Sequence, residues 1–192
     1  MAALTGDQNA VNEESKAGAV VGKEDTSALV LKVSLRPIDE NNVGTLRVLN
    51  RAILPVQYKN KFYRDILQVP EELRKMAYHD ASVVGAVCCR VEQSNSEEEA
   101  PDKLYIMTLG VLAAYRNLGV GSKLLKHILL TAAKMPDIGQ IYLHMHTQNV
   151  DGLRFYKRFG FQITKTIKGY YTNRVVPPDC HVLTKENAVA DK

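Results

Sequence analysis

The chain has 192 residues, 45% apolar and 24% charged, with a net charge of +4; at about 100–200 residues per domain this is one globular domain with a core large enough to need no staples. No apolar run approaches the ~20 residues of a membrane span, and the polar, acidic N-terminus lacks the basic-then-apolar order of a signal peptide. Three cysteines, Cys88 and Cys89 adjacent and Cys180 alone, fit neither a disulfide framework nor zinc spacing and predict a reducing cytoplasmic or nuclear setting.

In chain order, residues 1–27 are rich in small and polar residues without periodicity, and are expected to be a disordered acidic extension. They hold five acids against two lysines, a net of −3, leaving 23 basic against 16 acidic residues, +7, on the remainder. A basic body suits nucleic acid, a phosphate-bearing cofactor or the ribosome surface. Residues 28–185 read as one mixed α/β domain and 186–192 as a second loose tail. A first strand is expected at 28–35. Asp39 or Asn41 can cap a helix with Val43, Leu46, Leu49 and Ile53 at helical spacing, ended by Pro55. A short helix is expected at 60–67, then a hairpin of strands at 74–78 and 82–92. Residues 94–103 are expected to be a solvated acidic loop. The apolar run at 104–113 predicts a central strand, followed by a turn at 115–121 and a helix to residue 135. Strands at 140–146, 161–167 and 180–183 and a helix at 149–159 complete the pattern. His79 and His127 are expected to be plain surface residues. Tyr142, His144 and His146 alternate and so share one face; periodicity does not say which histidine acts.

Two segments carry chemistry. After the strand containing Tyr105, Met107, Leu109, Gly110 and Val111 comes Arg116-Asn117-Leu118-Gly119-Val120-Gly121-Ser122, opening a helix. The glycines let the backbone approach an anion, the free N–H groups of the first turn point at it, and Arg116 and Ser122 add charge and a hydroxyl. The spacing is neither a P-loop nor a full dinucleotide fingerprint. The second segment runs from Asn149 to Phe155-Tyr156-Lys157-Arg158-Phe159-Gly160-Phe161, a helix with a basic last turn closed by glycine.

Together, in this order and spacing, the two segments resemble the GNAT superfamily of acetyl-CoA-dependent N-acetyltransferases. The stretches at 54–67, 84–92, 104–122, 141–149, 155–163 and 170–183 are similar, more narrowly, to the catalytic subunits of NatE-type N-terminal acetyltransferases. The resemblance implies a GNAT fold, α/β, with a mixed central sheet of about seven strands flanked by about four helices. It implies acetyl-CoA as co-substrate, no metal, and protein N-termini as acceptors, with Met followed by a hydrophobic residue preferred. It assigns Leu109, Gly110, Val111, residues 116–122, Asn149, Tyr156 and Arg158 to acetyl-CoA. Tyr105 and His144 match the catalytic pair acting through a water, and Tyr156 lies near the thioester sulfur. Leu54, Pro55, Val56, Tyr58, Met107, Tyr170 and Tyr171 match the peptide-binding walls. NatA subunits and the ribosome are the implied partners of a body that is monomeric on its own; membranes and sequence-specific nucleic-acid binding are not implied.

The residue chemistry agrees. An α-amine with pKa near ~8 needs only a modest base, and acetyl transfer from a thioester needs no enzyme nucleophile. Two alternatives stand beside this: a GNAT acting mainly on lysine or small amines, disfavoured because no acidic cluster is evident near the motifs, and a non-catalytic CoA-binding subunit of a ribosome-associated NatA complex. The sequence departs from the family pattern at Leu54, where Phe is usual, at Ala114 for Pro, at Gly152 for Ala, and in a longer loop after Tyr171 that leaves open whether Arg174 or Val175 reaches the peptide.

Overall fold

The computed structural model describes residues 31–94, 100–171 and 175–188. The extension expected at 1–27, the start of the expected first strand, the acids Glu97–Glu99 and Arg174 lie outside the described residues. Seven strands form one sheet: β1 (Ser34–Pro37), β2 (Arg74–His79), β3 (Ser82–Glu92), β4 (Asp102–Val111), β5 (Ile138–His146), β6 (Gln162–Ile167) and β7 (Cys180–Glu186). The helices are α1 (Val43–Ile53), α2 (Asn60–Asp65), α3 (Val120–Ala132) and α4 (Val150–Arg158). The sheet order is β1-β2-β3-β4-β5-β7-β6. Every neighbouring pair is antiparallel except β4 and β5.

The first strand starts later than expected. The β1 ladder begins at Ser34, opposite Tyr78. The preceding carbonyls are taken by side chains instead: Val33 O accepts from Lys123 Nζ, and Lys32 O lies 3.1 Å from His79 Nδ1. The cap of α1 is Asn42, not Asp39 or Asn41. Asp39 Oδ1 accepts the N–H groups of Asn41 and Asn42 at 2.9 and 3.0 Å, and Asn42 Oδ1 accepts that of Asp39 at 2.9 Å. That closed turn delays the helix to Val43. Pro55 holds Leu54 extended, at φ −107° and ψ 136°, and so ends it. α3 stops at Ala132, short of the expected residue 135 and ahead of Pro136. The last strand runs on to Glu186, and the Asn187 side chain donates to Ala132 O and Ile138 O.

The sheet is covered on both faces. α3 and α4 pack one face, where Leu124, Leu125, Ile128 and Tyr156 meet Leu104, Ile106, Ile141 and Leu143. α1 and α2 pack the other, where Leu46, Leu49 and Tyr63 meet Met76, Ala86 and Cys88. The period of two in β5 explains the division: Ile141, Leu143 and Met145 are buried towards α3, and Tyr142, His144 and His146 point the opposite way.

Two irregularities position the site. β4 and β5 pair only between Asp102–Tyr105 and Ile138–Tyr142. Beyond that point β4 stays with β3 and β5 with β7, so a notch opens in the middle of the sheet. Within β4 the register to β3 slips between Thr108 and Ile106, leaving Met107 as an extra residue. The Met107 carbonyl accepts from the Tyr58 hydroxyl at 3.2 Å.

Candidate active site

The parallel register places Tyr105 opposite Tyr142, so His144 stands one step beyond it on the same face, at the head of the notch. Tyr105 Oη lies 3.2 Å from His144 Nδ1. The rings form a continuous stack: Tyr142 lies on Tyr105 at 4.7 Å, Tyr105 meets His144 edge-on at 5.4 Å, and Tyr170 lies flat on His144 at 4.7 Å. The structure therefore distinguishes the histidines. His146 Nε2 is engaged with Pro177 O at 2.7 Å and its ring packs on Tyr171. His127 sits 2.9 Å from Glu72 O, and His79 reaches Lys32 O, so neither is a plain surface residue. Among the described histidines, His144 is the one paired with a tyrosine hydroxyl.

Burial lowers the pKa of His144 below its ordinary value, against an opposing pull from Glu92. The imidazole is then neutral at neutral pH, the state a base requires. A Tyr105 hydroxyl that accepts from Nδ1–H leaves Nε2 unprotonated. Burial, reinforced by Tyr170 and Tyr58, pushes the Tyr105 phenol well above its usual range, so it keeps its proton.

Glu92 is not among the residues that the motifs single out. It lies on β3 two residues from Arg90, which stands opposite Tyr105. Tyr142 Oη donates a hydrogen bond to Glu92 Oε2, and Arg90 Nε donates to Oε1 at 2.9 Å while its guanidinium lies 5.3 Å from the Tyr105 ring centre. Burial pushes the Glu92 carboxyl up, but the Tyr142 and Arg90 hydrogen bonds outweigh it and hold the group below the usual carboxylate range. Glu92, Tyr142 and His144 share a groove of about 440 Å³ with Lys103 and Lys165. A second groove, of about 510 Å³ beside Leu73 and His127, contains none of the expected site residues.

Of the expected peptide walls, Tyr58 is bonded to Met107, and Tyr170 is in ring contact with Tyr171. Tyr58 packs on Phe62 at 4.4 Å and is bonded to Met107 O; burial, then Tyr170, raises its pKa to about 12. Tyr170 meets Tyr171 edge-on at 5.0 Å, and Tyr171 N–H donates to Pro178 O. Leu54 follows α1 across from Gly110, where a side-chain Cβ would come within 2.5 Å of Ile53 Cδ1. Only glycine lets the end of α1 approach β4 so closely. Pro55, exposed, and Val56, half-buried, lie in the α1–α2 connection that leads to Tyr58.

On the other side of the notch the residues fit an acyl carrier bearing a pyrophosphate. Gly119 caps α3 at φ 82°, and the helix ladder begins with Lys123 N–H to Gly119 O. The N–H groups of Val120, Gly121 and Ser122 therefore have no partner within the helix, and its first turn carries no acid. Asn117 also adopts a positive φ, 62°, and the exposed Arg116 braces the turn through a 3.2 Å bond from Nε to Val111 O. Leu118 is half-buried beside it. Leu109, Gly110 and Val111 pair with β3 on one side and face the notch on the other. Asn149 caps α4, accepting from Gly152 N–H at 2.9 Å; its side chain lies where a Cβ on Gly152 would fall, which accounts for glycine there. Tyr156 is buried edge-on against Phe155 and Phe161, and Arg158 is exposed at the end of α4. Among the described residues no group of His, Cys, Asp or Glu could hold a metal ion.

Comparison with known proteins gives the same direction. The Acetyltransferase (GNAT) family matches residues 43–161. The chain is 46% identical to N-alpha-acetyltransferase 50 of Danio rerio over 154 residues, covering 80% of this chain and 88% of that protein. It is 42% identical to the probable N-acetyltransferase san of Drosophila melanogaster, covering 80% of each. Among solved structures, Arabidopsis thaliana Naa50 in complex with the bisubstrate analogue CoA-Ac-MVNAL superposes with a TM-score of 0.73 at 44% identity, over 80% of this chain and 97% of that one. Matches of this identity over most of both partners place the chain in the GNAT acetyltransferase family, among the N-alpha-acetyltransferases.

Proposed function

We propose that the protein transfers acetyl from acetyl-CoA directly to the α-amine of protein N-termini. The observation that carries this is the neutral His144 held 3.2 Å from the Tyr105 hydroxyl at the head of a notch whose other side is an anion cradle. Acetyl-CoA supplies the thioester carbonyl that the amine attacks. His144, through a water fixed by Tyr105, takes the proton the ammonium must lose; with an acceptor pKa near ~8 a modest base suffices. As the amide forms and the carbon–sulfur bond breaks, the second amine proton passes to the departing CoA thiolate by way of the Tyr156 hydroxyl, which gives one proton and regains another, so that CoA leaves as the thiol. The N–H groups at the start of α3, with Arg116, Asn117 and Ser122, hold the pyrophosphate, and Leu109–Val111 line the arm. Asn149 and Arg158 border the carrier from α4.

Tyr58, Met107, Tyr170, Tyr171, Leu54, Pro55 and Val56 offer apolar and aromatic walls, which suit Met followed by a hydrophobic residue. The Met-Val start of the peptide bound to the Arabidopsis relative supports this. Turnover of acetyl-CoA with peptides beginning Met-Leu, Met-Lys, Ser and Ala tests it: Met-Leu is acetylated fastest, and preference for Ser or Ala overturns the specificity. Peptides with a blocked N-terminus and an internal lysine test the lysine reading, which Glu92 favours by bringing a carboxylate into the site; a lysine amine, pKa ~10.4, requires a stronger base than His144. Acetyl-CoA bound in calorimetry with no turnover of any of these peptides would favour the non-catalytic reading instead. NatA subunits and the ribosome are the proposed partners, in cytoplasm and nucleus; the support is the sequence resemblance and the basic charge outside residues 1–27.

A further inference from the structure

Glu92 makes no hydrogen bond to Tyr105 or His144 but is linked to both through Tyr142. Its carboxylate accepts from Tyr142 Oη, Tyr142 is stacked on Tyr105 at 4.7 Å with 17° between the planes, and Tyr105 Oη meets His144 Nδ1. Tyr142 also meets His144 edge-on at 5.8 Å. The carboxylate is one-third exposed and opens on the same groove as His144. The charged groups around it are Arg90 on β3, Lys103 on β4 and Lys165 on β6; the titratable rings facing His144 are Tyr105, Tyr142 and Tyr170. Within this set Glu92 is the one anion.

We infer that Glu92 is a positioning residue of the acetyl-transfer site: through Tyr142 it locks Tyr105 against His144, and its charge supports the imidazolium formed when His144 takes the amine's proton. The inference rests on the acetyl-transfer reading above. The proton goes on from His144 to water in the groove, so Glu92 changes no bond and is consumed in no step. The charge argument has the same direction as the upward pull of Glu92 on the His144 pKa. Arg90 limits that pull by neutralising part of the carboxylate's charge, which leaves hydrogen bonding through Tyr142 as the firmer of the two links.

The test is a set of three full-length variants assayed with acetyl-CoA and a Met-Leu peptide across pH. Glu92→Gln is expected to lower kcat by about tenfold or more, since small misplacements of reacting groups cost up to ~100-fold. It also moves the acid limb of the profile to lower pH, with little change in peptide KM. Tyr142→Phe keeps the stack and the carboxylate, so kcat falls while the acid limb stays in place. Glu92→Asp retains the wild-type limb. A purely structural role for Glu92 would leave the limb unmoved in all three. Independently of activity, an NMR titration of the His144 ring, assigned with His144→Ala, shows its midpoint moving down in Glu92→Gln. Wild-type kcat and limb in Glu92→Gln, or an unmoved His144 midpoint, overturn the inference. Should Glu92→Gln not fold, wild-type kcat in Tyr142→Phe overturns it. A wild-type protein without turnover sinks the acetyl-transfer reading, and the His144 midpoint still judges Glu92.

Discussion

Gly110→Ala probes how closely α1 is set against β4. The added Cβ would lie 2.5 Å from Ile53 Cδ1, 3.1 Å from Ile53 Cγ1 and 3.7 Å from Leu54 Cδ2. Ordinary contact begins at 3.4 Å, so the Ile53 side chain must retreat by roughly 1 Å in an interior packed too densely to absorb it freely. Overpacking of this kind costs about 1–3 kcal/mol, and the lower half applies because the clash is with the far end of a flexible side chain. Leu54 moves with Ile53, so the peptide KM rises as stability falls. Ile53→Val deletes the clashing Cδ1 at a cost of about 0.5–1.5 kcal/mol on its own. Combined with Gly110→Ala it should restore part of the loss, a favourable coupling of at least ~0.5 kcal/mol. Urea unfolding of the two single variants and the double, with peptide KM for each, measures this. Additivity of the single effects, or wild-type stability and KM in Gly110→Ala, would refute the reasoning.

Four further outcomes are expected. His144→Ala and Tyr105→Phe lower kcat, the former by about 10²–10⁴-fold, while calorimetry shows acetyl-CoA still bound; wild-type turnover in both removes them from the chemistry. Because burial depresses the His144 pKa, activity persists on acidification below the ordinary histidine range of ~6.5. The sign for stability is opposite: the unfolded chain protonates at His144 first, so that residue weakens folding as pH falls below ~6.5, and His144→Ala should flatten this part of a stability-against-pH curve. Gly119→Ala strains a backbone at φ 82° by about 1–2 kcal/mol and raises the Kd for CoA, read by calorimetry. Asn149→Ala removes the α4 cap and costs about 1 kcal/mol in denaturant unfolding.

Much of this arrangement is local and therefore readable in the sequence. The apolar run ending at Val111, the glycines at 119 and 121 and the amphipathic helix after them mark strand, turn and helix without any long-range contact. Tyr105 and His144 rest on family likeness, because their meeting depends on a parallel register between β4 and β5 that no local pattern encodes. Glu92 lies beyond both routes: its partner Tyr142 is 50 positions away, two strands across the sheet. Alternation does place Cys88, Arg90 and Glu92 on one face, which was the available signal. The early expected start of β1 followed the apolar residues Leu31 and Val33, but an edge ladder extends only as far as its partner, and the carbonyls before Ser34 found side chains instead.

The notch between β4 and β5 also joins folding to metabolism. It leaves strand edges facing one another in the centre of the molecule, ladder groups of a kind that proteins ordinarily pair or cover. A ligand that binds only the folded chain stabilises it by about 2.7 kcal/mol at a hundredfold excess over its Kd. Acetyl-CoA lodged in the notch would therefore act as a removable strut, and the Tm would track its free concentration. Without acetyl-CoA the folded chain would lose that increment, so its resistance to unfolding and its rate would both follow the supply of the co-substrate.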